Sequence, residues 1–148
     1  MSTVTHIFLR PAKRQEVVGV QSAVAIAGQG IEGDHSQGGQ RQVTMMSLEA
    51  FESAAQSLGQ DLSPGVRRAN IVITGLDVYA TISKTIEIGQ VVIDVKDYNP
   101  PCGEMDRACR GLKIALDVDH RAGVFGVFKN SGEITVGAEV SIIEPDHA

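Results

Sequence analysis

The feature that most constrains this chain is its repetition of short β-branched runs cut apart by glycine, proline and asparagine. Such runs fall at residues 3–9, 17–27, 42–46, 70–74, 90–95, 124–128 and 139–143. Most are too short for stable helices and are bounded by turn residues, which is the signature of strands. Sixteen glycines supply the tight turns and close backbone approaches such a chain needs. In "KNSGEITVG", Asn130, Ser131 and Gly132 stand between two alternating segments and read as a hairpin turn.

Helical periodicity is confined to two places. Over residues 47–58, Leu48, Phe51, Ala55 and Leu58 fall on one face, Ser47 can cap the N-terminus, Glu49 suits the positive helix end and Gly59 stops it. A second helix is expected over residues 103–116, with Gly111 as a point of breakage. Strands and helices do not alternate regularly, so the expected fold is mainly β, a β-strand-rich barrel with short helical insertions rather than a doubly wound sheet.

The 148 residues, 43% of them hydrophobic, suit one domain spanning residues 1–148 that buries roughly two thirds of its unfolded surface. A net charge of −5 argues against nucleic-acid binding. With no Trp, two Tyr and four Phe, the chain has little for a base-stacking platform. No stretch approaches the ~18 apolar residues of a membrane helix, and "MSTVTHIFLRPAKRQEVV" lacks the pattern of a secretory signal. Two cysteines in a domain of this size point to a reducing compartment. The expectation is a cytoplasmic protein whose partners are small molecules, with no nucleic acid and no membrane.

Both cysteines lie in "NPPCGEMDRAC", residues 99–109. Pro100 and Pro101 end the preceding strand, which leaves Cys102 at a strand-to-helix junction where unpaired N–H groups favour a thiolate. Cys102 therefore reads either as a small packed hydrophobe or as a working thiol. Met105, Cys109 and Leu112 share a helical face, so Cys109 reads as packing. On one continuous helix the two thiols would stand about 10 Å apart along the axis, too far for a disulfide.

Two further stretches carry charge chemistry. "GIEGDHSQGGQRQV", residues 30–43, places Gly33, Gly39, Asp34, His35 and Arg41 in a loop entering a strand. Such a loop could cradle a phosphate or other oxyanion, or its glycines could simply make turns. "PGVRRANI", residues 64–71, sets Arg67 and Arg68 beside Asn70. Either arginine could join Arg41 in an anion clamp, or face solvent. His6, His35, His120 and His147 are scattered without HExxH or CxxC spacing, which disfavours a zinc site, and there is no GxSxG for a serine hydrolase. Asp117, Asp119 and His120 read as the polar end of the second helix.

Taken in order, "GIEGDHSQGGQRQVTMMSLEAFE", "PGVRRANIVITGLDV", "IEIGQVVIDV", "PPCGEMD" and "GVFGVFKNSGEITVGAEV" resemble the MOSC domain, named for the C-terminal part of molybdenum cofactor sulfurases and found also as a stand-alone bacterial protein. The resemblance implies a barrel of the MOSC, pyruvate-kinase-like type that binds the molybdenum cofactor (molybdopterin). It implies that Cys102 is the family's characteristic cysteine, acting as a molybdenum ligand or as a persulfide carrier. It also implies that Gly33, Asp34, Arg41, Arg67 and Asn70, with His35 and Gly39 in the same loop, line or shape the cofactor pocket. Two departures stand out: Gly137–Ala138 replaces the usual Gly-Asp, and "RAGVFG" replaces the more common Gly-Gly before the strand at Val124. Two functions follow from the resemblance. One is a molybdenum-dependent oxidoreductase acting on N-hydroxylated small molecules, which would need a separate electron-transfer protein because the chain has no flavin or iron–sulfur signature. The other is a non-enzymatic sulfur or cofactor carrier that hands its cargo to a partner.

Overall fold

The computed structural model describes residues 1–143. Within them the strands are β1 (Thr3–Leu9), β2 (Val18–Val20), β3 (Ser22–Ile26), β4 (Gly30–Ile31), β5 (Val43–Ser47), β6 (Ile71–Thr74), β7 (Thr85–Ile88), β8 (Val91–Tyr98), β9 (Val124–Phe128), β10 (Gly132–Thr135) and β11 (Val140–Ile143). The helices are α1 (Leu48–Ser57), α2 (Met105–Ala108) and α3 (Leu112–Asp117). One sheet runs in the order β11-β7-β8-β9-β5-β6-β1-β2, and a smaller one in the order β10-β3-β4. The large sheet curls until β1, next to one end, meets β11 at the other. Val4 donates to the Ala138 carbonyl, Gly137 to that of Val4 and Val140 to that of Ser2, at 2.8–3.0 Å, so the N-terminal half of β1 is joined to the approach to β11. The expectation of a mainly β barrel with few helices holds.

Side-chain alternation explains why the barrel has two cores. In β5, Val43 and Met45 point into the barrel while Met46 points out, and in β6 Ile71 and Ile73 point in while Val72 points out, as a period of two requires. Both faces of these central strands are buried. The interior is filled by aliphatics such as Ile7, Ile86, Ile88, Ile93 and Val95, with Phe128. Outside, Met46 and Val72 meet Phe51, Ala54, Met105, Leu112 and Leu116 of the three helices.

Helix α1 follows its sequence signature: Ser47 Oγ accepts from the Ala50 N–H, Phe51 and Ala55 are buried, and Leu48 and Leu58 pack beside them. Glu49 reaches further than a dipole argument requires, accepting hydrogen bonds from Thr74 Oγ1 and the Gly75 N–H. The helix carries the chain from β5 to a parallel β6, the strand–helix–strand connection a parallel pair demands.

Several expectations are corrected. Residues 17–27 form two strands, β2 and β3, in different sheets. β7, just before the expected strand at 90–95, is a strand of its own and pairs with β8 and β11. The turn at Asn130–Gly132 does not close a hairpin. β9 pairs with β5 and β8, and β10 crosses to β3, because the turn moves the chain from the large sheet to the small one. The second helix is broken into α2 and α3 by Cys109, whose backbone is extended, and Gly111, at φ 92°. The helical-rise argument against a disulfide therefore lapses, yet both cysteines are free thiols. Asp119 and His120 lie beyond α3 in a short turn, both with positive φ. His147 lies outside the described residues.

Candidate functional site

At the end of β1 the chain turns through Arg10, and its guanidinium faces the buried carboxylate of Asp34. Arg10 Nη2 lies 3.0 Å from Asp34 Oδ2 and Nε lies 3.2 Å from Oδ1, while the Arg10 N–H also donates to Oδ1. The Ser36 N–H and Asn70 Nδ2 complete the carboxylate's shell. Burial pushes the Asp34 carboxyl up, but the Arg10 contacts and the two backbone N–H donors outweigh it and hold the group below its ordinary 3.8. Asn70, fully buried, also donates to the Phe8 carbonyl and accepts from Arg10 Nη2 and from the Thr44 N–H and hydroxyl. Asp34 and Asn70 are thus saturated by protein partners. They pin the glycine-rich loop to β1, β5 and β6.

The other loop residues lie around this pin. The His35 N–H donates to the Arg10 carbonyl, Gly33 takes φ 90°, and Gly39 sits apart, beside Lys96 and Lys129 in a separate surface cavity. Arg41 is exposed and lies over the Phe125 ring, 4.8 Å from its centroid.

Arg67 is placed differently. It ends the short 3-10 turn Pro64–Arg67 and is 6% exposed. Its Nε donates to the Ala122 carbonyl at 2.9 Å and its Nη2 to the Asn99 carbonyl at 2.7 Å. The Asn99 N–H in turn donates to the Gly123 carbonyl, so one guanidinium clamps the end of β8 to the approach to β9. The cysteine-bearing segment leaves from that clamp. Among the described residues no carboxylate pairs with Arg67. No buried polar side-chain atom there goes without a partner, so Nη1, which has no acceptor among the described residues, lies where Arg67 keeps its small exposure. Burial draws its pKa down to about 10; Cys102 and Tyr98 oppose that, and Arg10 and Arg41 reinforce it. Arg67 therefore feels the charge of Arg10, of Arg41 and of Cys102.

Cys102 is exposed. It precedes α2, and its carbonyl accepts from the Met105 N–H. The helix is a single turn of four residues, so it offers little of the dipole that the junction suggested. Met105 is buried in the outer core and half-buried Cys109 packs against that core, as expected, although from an extended residue between two helices rather than from a shared helical face. Next to the clamp, Tyr98 donates its hydroxyl to Asp117 at 2.8 Å and makes edge contacts with Tyr79 and His120, which stack at 4.2 Å. Burial first, then the Asp117 contact, push the Tyr98 hydroxyl well above its usual range.

Arg68, adjacent in sequence, takes φ 68° and turns the opposite way, donating to the Gln15 and Ala12 carbonyls. Of the two, Arg67 is the one that feels the charge of Arg41. Arg10 escaped the sequence reading; its one signal was a cation immediately before Pro11 at the end of a strand.

The clamp, the exposed cysteine after Pro100–Pro101 and strands β5 to β10 fall within a family model: residues 32–141 match the MOSC domain. The chain belongs to the MOSC domain family. Its backbone is similar to YuaD of Bacillus subtilis (TM-score 0.77, 18% identity, covering 95% of this chain and 94% of that one). It is also similar to YiiM of Geobacillus stearothermophilus (0.78, 17%, covering 97% and 76%) and YiiM of Escherichia coli (0.72, 14%, covering 97% and 71%). No curated protein matches the sequence. The two departures from the MOSC pattern are both met by backbone. The Ala138 carbonyl accepts the Val4 N–H at the barrel seam, and the Ala122 carbonyl accepts Arg67 Nε.

The MOSC domain's association with the molybdenum cofactor can be tested against these residues. A buried guanidinium without a carboxylate partner, with Arg41 nearby, suits an anionic, phosphate-bearing group. No group of three or more His, Cys, Asp or Glu could hold a bare metal ion among the described residues. A single soft thiol instead suits a metal that arrives with its own sulfur ligands. The residues fit the group.

Proposed function

We propose that this MOSC domain binds the molybdenum cofactor, with Arg67 and Arg41 holding its negative charge and Cys102 offering sulfur to the metal. The observation that carries this reading is Arg67: a buried cation lacking a carboxylate partner among the described residues, bonded to the Asn99 carbonyl from which the Cys102 segment leaves. Asp34, Asn70, His35 and the loop glycines act by position, fixing the backbone of the glycine-rich loop. When bound, the cofactor would supply oxygen-atom removal from a small N-hydroxylated compound, with electrons delivered by a separate protein. The chain's own residues bind the charge, place the thiol beside it and leave that thiol open to solvent.

That openness favours a second reading, a carrier whose Cys102 holds sulfur or cofactor for transfer to a partner protein. Both readings are tested on protein made in a cofactor-producing host, by molybdenum analysis, pterin fluorescence and cyanide-labile sulfur. Cys102→Ser should lose molybdenum or labile sulfur while keeping pterin, and Arg67→Met should lose pterin at least tenfold. Equal metal, sulfur and pterin in wild type and both variants would overturn the proposal. Sulfur loss selects a sulfur carrier; metal loss selects cofactor ligation, and reduction of an N-hydroxylated compound with a supplied electron donor then separates the oxidoreductase from a cofactor carrier.

A further inference from the structure

The left-handed turn at Arg68 separates the Arg67 side from a cavity of about 570 Å³ that the cofactor reading does not use. That volume lies within the ~300–1,000 Å³ of small-molecule pockets. Its walls are the loop after β1, the turn at residues 63–68 and α2, the helix that follows Cys102. The apolar part comes from Phe8, Val17, Val66 and Ala108, enough for a body the size of one ring. The charged part is unequal. Arg14 and Arg107 share Glu104, at 3.2 and 4.0 Å. Among the described residues Arg68 meets only carbonyl oxygens and no carboxylate, so its charge is left over there. Glu16, also in the wall, has no cation partner among the described residues.

We propose that this cavity binds a small organic acid, a ring-sized apolar body carrying one carboxylate, with the carboxylate toward Arg68 and Arg107 and the ring on Phe8 and Val66. A carboxylate there meets a guanidinium that has no acid of its own among the described residues, through the N–H groups that its bonds to the Gln15 and Ala12 carbonyls leave over. Glu16 opposes it, which gives the proposal a sign: removing that charge should strengthen binding. The ligand would lie against the helix that begins three residues after Cys102, so calling it a substrate rests on the proposed function; the binding itself does not.

The test needs no cofactor. The ¹⁵N-labelled chain is titrated with 4-ethylbenzoate, 4-ethylbenzyl alcohol and 4-ethylbenzylamine, and amide shifts are followed. The benzoate should saturate with shifts centred on Gly65, Val66, Arg107 and Ala108, at least fivefold tighter than the alcohol or the amine. Glu16→Gln should tighten it severalfold. Arg107→Gln, on an exposed helix residue that should not affect folding, should weaken it severalfold. Equal or tighter binding of the amine, weaker binding in Glu16→Gln, shifts centred elsewhere or no saturable shift would each overturn the proposal. Because molybdenum and pterin content are measured separately in Cys102→Ser and Arg67→Met, failure here is distinguishable from failure of the cofactor reading.

Discussion

Asp34 shows how a polar residue can belong to a functional motif and still act as a fastener. Its side chain is 1% exposed and its salt-bridge partner Arg10 only 11%. Removing one partner of a buried pair strands the other, typically at about 3–5 kcal/mol. Asp34→Asn should therefore destabilise the fold by roughly that much near neutral pH. The folded-state pKa lies below the ordinary 3.8. The carboxylate's contribution is thus complete above that value and disappears as pH falls through the lower folded one. Denaturant titrations at pH 7 and at pH 2–3 should show the gap between wild type and variant narrowing in acid; a gap independent of pH would refute the assignment. Asp34 and Asn70 were visible in the sequence as motif residues, but their bonding was not, because the partner Arg10 lies 24 and 60 positions away. Arg67 and Arg68 look alike on paper. Only the backbone angle at position 68 separates a buried clamp from a half-buried loop staple.

Among the glycines within strands, Gly126 of β9 has the least room for a side chain. A Cβ on Gly126 would stand 2.5 Å from the Asp94 carbonyl and 3.0 Å from Ile93 Cγ2, and neither backbone nor a packed branch can yield cheaply. Gly126→Ala should cost at least about 2 kcal/mol in equilibrium unfolding. Gly103→Ala, where nothing lies within 4 Å and φ is ordinary, should change stability by less than about 0.5 kcal/mol. Equal effects would mean that β8 and β9 are not as closely paired as described. Helix α1 was legible because its cap, periodicity and stop are all local. The break at Cys109–Gly111 was half legible through the glycine. The turn at residues 130–132 was misleading, since a turn's chemistry says that the chain reverses but not which strand it then joins.

For the molecule as a whole, the decisive contacts join residues more than a hundred positions apart. Val4, Gly137 and Val140 make the hydrogen bonds that bring β1 to β11. If the barrel is closed there, these amides are interior ladder bonds rather than a fraying edge. Native-state hydrogen exchange should give them opening free energies within about 1 kcal/mol of those in β5; exchange as fast as an exposed loop would mean an open sheet. A barrel-type fold was readable from strand spacing, and the MOSC resemblance reinforced it. The strand order was not, since pairing at that range leaves no local trace. The turn at residues 63–68 has a final bearing at this scale. Its two arginines grip opposite sides, so any displacement of the turn carries both guanidiniums at once, like two gears on one shaft. Were the cavity and the clamp both filled, this turn would be the backbone segment that the two ligands share.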